Sequence, residues 1–161
     1  MTRFPPLDIR HPQPGDIVSD EVNVAGFINV GDAVAAVSIQ AEDGSELASA
    51  VVRSPDFGSG DFAVTLAVTP TSPIGTAVVT LMPDIVTEIP ITFGSAFFGS
   101  FLGFGIHTVV AGDTLWDIAT KNYGDGAKYP IIAVANRDVV DDPDLIFPGQ
   151  ELRIPVDPSA I

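Results

Sequence analysis

The feature that most narrows what this chain can fold into is the backbone punctuation between His107 and Pro155. Thr114 is followed three residues later by Asp117, the spacing at which a hydroxyl accepts an orphan helix N–H and a carboxylate reaches back toward the chain entry. A helix therefore starts at Thr114. Leu115, Ile118, Ala119 and, a turn on, Asn122-Tyr123 form a stripe at helical spacing, and Gly124 in Gly124-Asp125-Gly126 supplies the stop. Pro130 fits the first turn of a second helix, where its missing N–H costs nothing, and Asn136 closes it. Pro148-Gly149 suits the centre of a type II turn, and His107-Thr108-Val109-Val110 and Leu152 to Ile154 read as flanking strands. The unit reads βααβ, with Leu115, Ile118, Ile131, Val134 and Ile154 expected in one buried cluster.

The order and spacing of His107-Thr108-Val109-Val110, Ala111-Gly112-Asp113-Thr114-Leu115-Trp116-Asp117-Ile118-Ala119, Tyr123-Gly124-Asp125, Ala135-Asn136 and Pro143-Asp144-Leu145-Ile146-Phe147-Pro148-Gly149-Gln150 resemble a LysM domain. That resemblance implies a shallow groove for N-acetylglucosamine-type glycan, such as peptidoglycan or a chitin-like oligomer. Carried onto this chain, its walls are Gly112, Asp113, Thr114 and Leu115 on one side and Pro143, Asp144, Leu145, Ile146 and Phe147 on the other. Such a sugar needs backbone N–H and C=O groups at its acetamido group and apolar side chains beneath its methyl and ring. Trp116, placed on the helix, is expected to pack inward rather than serve as a sugar platform. The longer segment from Tyr123 to Pro130 resembles a LysM subtype of leaderless proteins and phage-tail-like assemblies, where the fold serves as a joint. That leaves a second expectation: a structural adaptor in a phage-tail-like or contractile-injection-type assembly, binding protein rather than sugar.

From Leu7 to about Thr92 the pattern changes to short runs rich in Val, Ile, Thr and Phe: Glu21 to Ile28, Val34 to Ala41, Glu46 to Arg53, Phe62 to Val68, Gly75 to Met82 and Ile85 to Thr92, with Leu7 to Arg10 as an edge. Glu42-Asp43-Gly44-Ser45 is a hairpin connection, and Pro70, Pro73 and Pro83 fall between runs. Short strands at this spacing predict an antiparallel sandwich. The stretches Ile9 to Pro12, Pro14-Gly15, Val22 to Gly26, Asp43 to Ala48 and Gly60 to Phe62 resemble the immunoglobulin-like domain of bacterial spore-germination proteins. The fold class is thus mixed: an all-β immunoglobulin-like sandwich over 1–92, a Phe/Gly-rich apolar linker over 93–105, an α+β LysM unit over 106–156 and a tail over 157–161.

Five of the ten phenylalanines lie in the stretch 93–105. A linker of Phe, Gly and Ser is too short to hide them alone. Either they fold back over the flanking domains or Phe97, Phe98, Phe101 and Phe104 dock on another protein subunit. The stretch is too short and too broken by glycine to span a membrane as a helix.

Twenty-one acidic against seven basic residues give a net charge of −14, which repels phosphate backbones and anionic membrane surfaces. Nucleic acid is excluded as a partner on that ground. The sixteen Asp and two Lys suit either a plain solvated acidic surface or solubility in high salt. No cysteine is present, which removes zinc–thiolate sites and thiol catalysis. With two histidines, no nucleophile elbow and no phosphate-cradling glycine loop, the expectation is a non-enzyme without cofactor or metal. Asp113 and Asp117 are expected to stabilise a helix N-terminus. The loop carrying Asp138, Asp141, Asp142 and Asp144 lacks the ligand period of a calcium loop. The first residues have no apolar core of signal-peptide length, so the expected location is cytoplasmic or within an exported assembly, with the cell envelope as a further option.

Overall fold

The structure, a computed structural model, describes residues 5–31, 33–53 and 59–160. Its first half is two facing β-sheets. One has the order β1-β3-β6, from Leu7–His11, Glu21–Ile28 and Gly60–Ala67, all antiparallel. The other has the order β2-β8-β7-β4-β5, from Ile17–Val18, Ile85–Phe93, Ile74–Leu81, Val34–Ala41 and Glu46–Arg53. The predicted bounds of β3, β4 and β5 agree with the structure. The two-residue β2, which pairs parallel with β8, was not foreseen, because two residues carry no alternation to read.

Alternation builds the core between the sheets. Val22, Val24 and Ile28 of β3 face Val37 and Ile39 of β4, Val79 and Leu81 of β7, and Ile89, Ile91 and Phe93 of β8, all buried. Residue 75 must be glycine, because a Cβ there would run into the Phe93 ring. Phe93 therefore completes β8 and the sandwich core, and the connection to the second half runs from 94 to 103.

That second half has strand β9 (Phe104–Thr108), helix α2 (Leu115–Tyr123), a 3-10 turn (Gly126–Lys128), helix α3 (Tyr129–Ala135) and strand β10 (Glu151–Pro155), which pairs antiparallel with β9. A four-residue helix α1 (Ser95–Phe98) precedes it. The predicted caps are present: Thr114 accepts from the Asp117 N–H at 3.1 Å, Gly124 adopts a left-handed conformation, and the Gln150 N–H donates to the Phe147 carbonyl across the Pro148-Gly149 turn. The capping differs in one respect, since the Asp117 carboxylate accepts from the Thr114 hydroxyl at 2.7 Å.

The core of this unit is Val109, Leu115, Ile118, Ala119, Ile132, Val140, Leu152 and Ile154. The expected cluster is corrected at α3. Ile131 and Val134 are only half-buried, whereas Ile132, Ala135 and Asn136 are buried, so the inward face is rotated by one residue. Asn136 fixes that rotation. Its side-chain amide donates to the carbonyls of Ile132 (2.8 Å) and Arg153 (2.7 Å), and its carbonyl accepts from the Arg153 N–H (2.7 Å). Among the described residues no helix is long and apolar enough to cross a membrane.

The two halves touch. The Arg153 guanidinium donates to the Gly15 carbonyl at 2.7 Å and pairs with Asp138, and Arg137 donates to the Ile91 carbonyl at 2.8 Å. Phe98 packs on Tyr123 with ring centroids 5.5 Å apart, and the Lys128 ammonium lies 5.7 Å from the Phe98 centroid.

Candidate functional site

Two loops and one helix start enclose a groove of about 220 Å³ lined by Asp113, Thr114, Leu115, Trp116, Tyr129, Pro143, Asp144 and Ile146. Six of the nine residues predicted for the walls are in this lining. Gly112, Leu145 and Phe147 are not, although Leu145 and Phe147 stand exposed on the same loop. Thr114 caps Asp117, while the N–H groups of Leu115 and Trp116 at the first two helical positions have no backbone acceptor among the described residues, as the start of any helix leaves them.

Trp116 corrects an expectation. Its side chain is 54% exposed rather than packed inward, because Leu115, Ile118 and Ala119 already fill the buried face of α2. The indole lies over Gly126, where any Cβ would strike it, and its ring centroid is 6.3 Å from that of Tyr129. Trp116 and Tyr129 thus form an aromatic wall that the sequence reading did not assign. Tyr129 is the aromatic that follows Tyr123-Gly124-Asp125 within the longer segment to Pro130.

The opposite loop is held by hydrogen bonds among its own backbone and the Asp142 and Gln150 side chains. The Asp144 N–H donates to the Asp142 carboxylate, the Leu145 N–H to the Asp142 carbonyl and the Phe147 N–H to the Gln150 side chain, whose amide donates to the Val139 carbonyl. Asp113 does not act at the helix start as expected. Its carboxylate accepts from the Val110 N–H at 3.0 Å and meets His107 Nε2 at 2.8 Å. Those contacts, the Val110 N–H first, hold its carboxyl below the ordinary carboxylate range. Asp138 pairs with Arg153, and among the described residues no group of three acidic or histidine side chains is placed to hold a metal ion.

The phenylalanines of the connecting stretch divide. Phe101 lies against Gly94, Phe98 packs on Tyr123 and Phe97 is half-buried, while Phe104 is 44% exposed on β9.

Residues 107–155 match the LysM domain family. This part of the chain is a LysM domain. Residues 7–84 match the immunoglobulin-like domain of bacterial spore germination. Among curated proteins, the chain is 47% identical over 49 residues to the potassium binding protein Kbp of Escherichia coli O6:H1, a match covering 30% of this chain and 33% of that protein. It is 49% identical over 53 residues to an uncharacterized protein of Deinococcus radiodurans, covering 33% of this chain and 20% of that one. It is 41% identical over 58 residues to the uncharacterized protein YqbP of Bacillus subtilis, covering 30% and 26%. The chain thus spans a third or less of the length of these relatives. The LysM domain is in general a glycan-binding unit, and both matched domains are binding domains rather than catalytic ones.

Proposed function

We propose that this chain is a non-catalytic binding protein whose LysM domain takes N-acetylglucosamine-type glycan, peptidoglycan above all, in the groove between Asp113–Trp116 and Pro143–Phe147. The observation that carries this reading is the joining of an exposed Trp116–Tyr129 wall to unpartnered helix N–H groups in one shallow cleft. An aromatic face suits the C–H surface of a pyranose ring, and the free N–H groups suit an acetamido carbonyl. Gly112, Leu145 and Phe147 belong to the same proposal as rim residues. No cofactor is required. The reading places the protein at work where wall glycan is, in the envelope.

Trp116 is the sole tryptophan of the chain, so its fluorescence reports on this groove. Chitin oligomers are expected to change the emission and to shift the amide NMR signals of residues 112–115 and 143–147 together. Tyr129→Ala is expected to weaken that response at least roughly tenfold, a loss of about 1.4 kcal/mol, with the helical signal unchanged. Titration that leaves Trp116 and both loops silent at millimolar glycan removes the proposal.

The second reading, a structural adaptor in a phage-tail-like or contractile-injection-type assembly, draws on the exposed Leu102, Phe104 and Ile106. Retention on purified peptidoglycan separates the two.

A further inference from the structure

The two strands of the LysM sheet each have an outer edge, and those edges are treated differently. On β10 the outward backbone groups of Arg153 are both taken by the Asn136 amide, and the Pro155 carbonyl accepts from the Tyr123 hydroxyl at 3.0 Å. Proline has no N–H to leave open. That edge is closed over most of its length.

The edge of β9 is open. Val109 exchanges hydrogen bonds with Gln150 and Gly149, Gly103 accepts from the Val156 N–H, and Gly105 and His107 stand opposite Ile154 and Leu152. Odd-numbered residues therefore direct their backbone groups to β10, and by the alternation of an antiparallel ladder Phe104, Ile106 and Thr108 direct theirs away from it. Among the described residues nothing hydrogen-bonds to those outward groups. Exposed edges are ordinarily blunted by lysine, proline or a bulge. Strand β9, Phe-Gly-Ile-His-Thr, has none of these. It instead exposes Phe104 and Ile106 (44% and 58%), preceded by Leu102 at 59%.

We propose that β9 pairs with β9 of a second copy of this chain, antiparallel and centred on Ile106, giving one continuous four-stranded sheet. With a net charge of −14, two copies repel wherever their acids face each other. An edge without an acidic residue is where they meet at least cost. His107, its one titratable residue, is turned toward Asp113 on the helix side. Centring on Ile106 sets Ile106 opposite its own counterpart and Phe104 opposite Thr108 twice. All three pairs then carry outward backbone groups in phase. A slip of one residue puts those groups out of phase, and a slip of two loses a pair. The facing side chains are β-branched or aromatic, which favours cross-strand packing. Arg153 and Glu151, opposite Ile106 and Thr108 on β10, stay one strand back from the seam. This inference is independent of the glycan reading, since the groove is built from other loops.

Sedimentation velocity without glycan, from micromolar to sub-millimolar protein, is expected to show a concentration-dependent dimer that strengthens with salt, as screening weakens the repulsion. Ile106→Lys is expected to be monomeric with an unchanged thermal melt. Because the chain has no cysteine, Ile106→Cys gives a second readout. Cα atoms across a hydrogen-bonded antiparallel pair lie about 5.5 Å apart, inside the disulfide range, so mild oxidation is expected to give a covalent dimer. Val51→Cys, on the exposed residue of β5 (64%), is the control. A wild-type chain monomeric at every concentration and salt, a dimer that survives Ile106→Lys, or Ile106→Cys cross-linking no faster than Val51→Cys overturns the proposal.

Discussion

At Asp157 three donors converge on one buried carboxylate: the Ser159 hydroxyl at 2.6 Å, the Ser159 N–H at 2.9 Å and the Lys128 ammonium at 3.0 Å. The residue was expected in a tail, yet its contact with Lys128 fastens the segment after β10 to the LysM domain. Led by the Ser159 hydroxyl, they hold the Asp157 carboxyl down to about 2 from its ordinary 3.8. The folded chain therefore takes up this proton at lower pH than the unfolded chain does. The stabilisation is complete above about pH 4 and is lost as the pH falls toward about 2. Asp113, lowered by the Val110 N–H and His107, acts with the same sign. Urea melts across this range are expected to show a steep acid-side loss for the parent and a shallower one for Asp157→Asn. Equal slopes would mean that Asp157 is not the group titrating.

Helix α3 shows where an element is decided by its surroundings. In Tyr-Pro-Ile-Ile-Ala-Val-Ala-Asn, helical periodicity is met equally by a face through Ile131, Val134 and Ala135 and by one through Ile132, Ala135 and Asn136. Sequence spacing cannot choose between them. The choice is made by Asn136, whose amide must reach Arg153 on a strand 17 residues on. Ile132→Ala is accordingly expected to cost about 2–4 kcal/mol, and Ile131→Ala less than half of that, in matched denaturant titrations. The opposite order would restore the original face. Where local signals suffice, the reading held: Thr114 and Gly124 bound α2, and the alternation in Glu21–Ile28 and Val34–Ala41 places Val22, Val24, Val37 and Ile39 in the core. The loops carried over from the family supply six of the nine expected wall residues to one cleft, a placement that spacing alone does not give. Trp116 was misread because an aromatic beside Leu115 looks like core until Leu115, Ile118 and Ala119 are seen to fill it.

Across the whole molecule, two arginines donating to backbone carbonyls join the halves, and Phe98 of the connection packs on Tyr123. Burial pushes the Tyr123 hydroxyl above the ordinary tyrosine range, so it stays a neutral donor to Pro155 at any physiological pH. Replacing both Arg137 and Arg153 by Ala is expected to leave the circular dichroism of each half intact while the radius of gyration from small-angle scattering increases. An unchanged scattering profile would mean that the Phe98 contact suffices alone. The Arg153–Gly15 bond also joins positions 138 residues apart in the chain. During ribosomal synthesis the strands through Phe93 leave the exit tunnel well before Arg153 does. The sandwich is free to assemble first, and its last strand then hands a finished surface to the domain that follows. The clasp between them closes only when synthesis has passed residue 153, so the mutual orientation of the two domains is set only after both have been made.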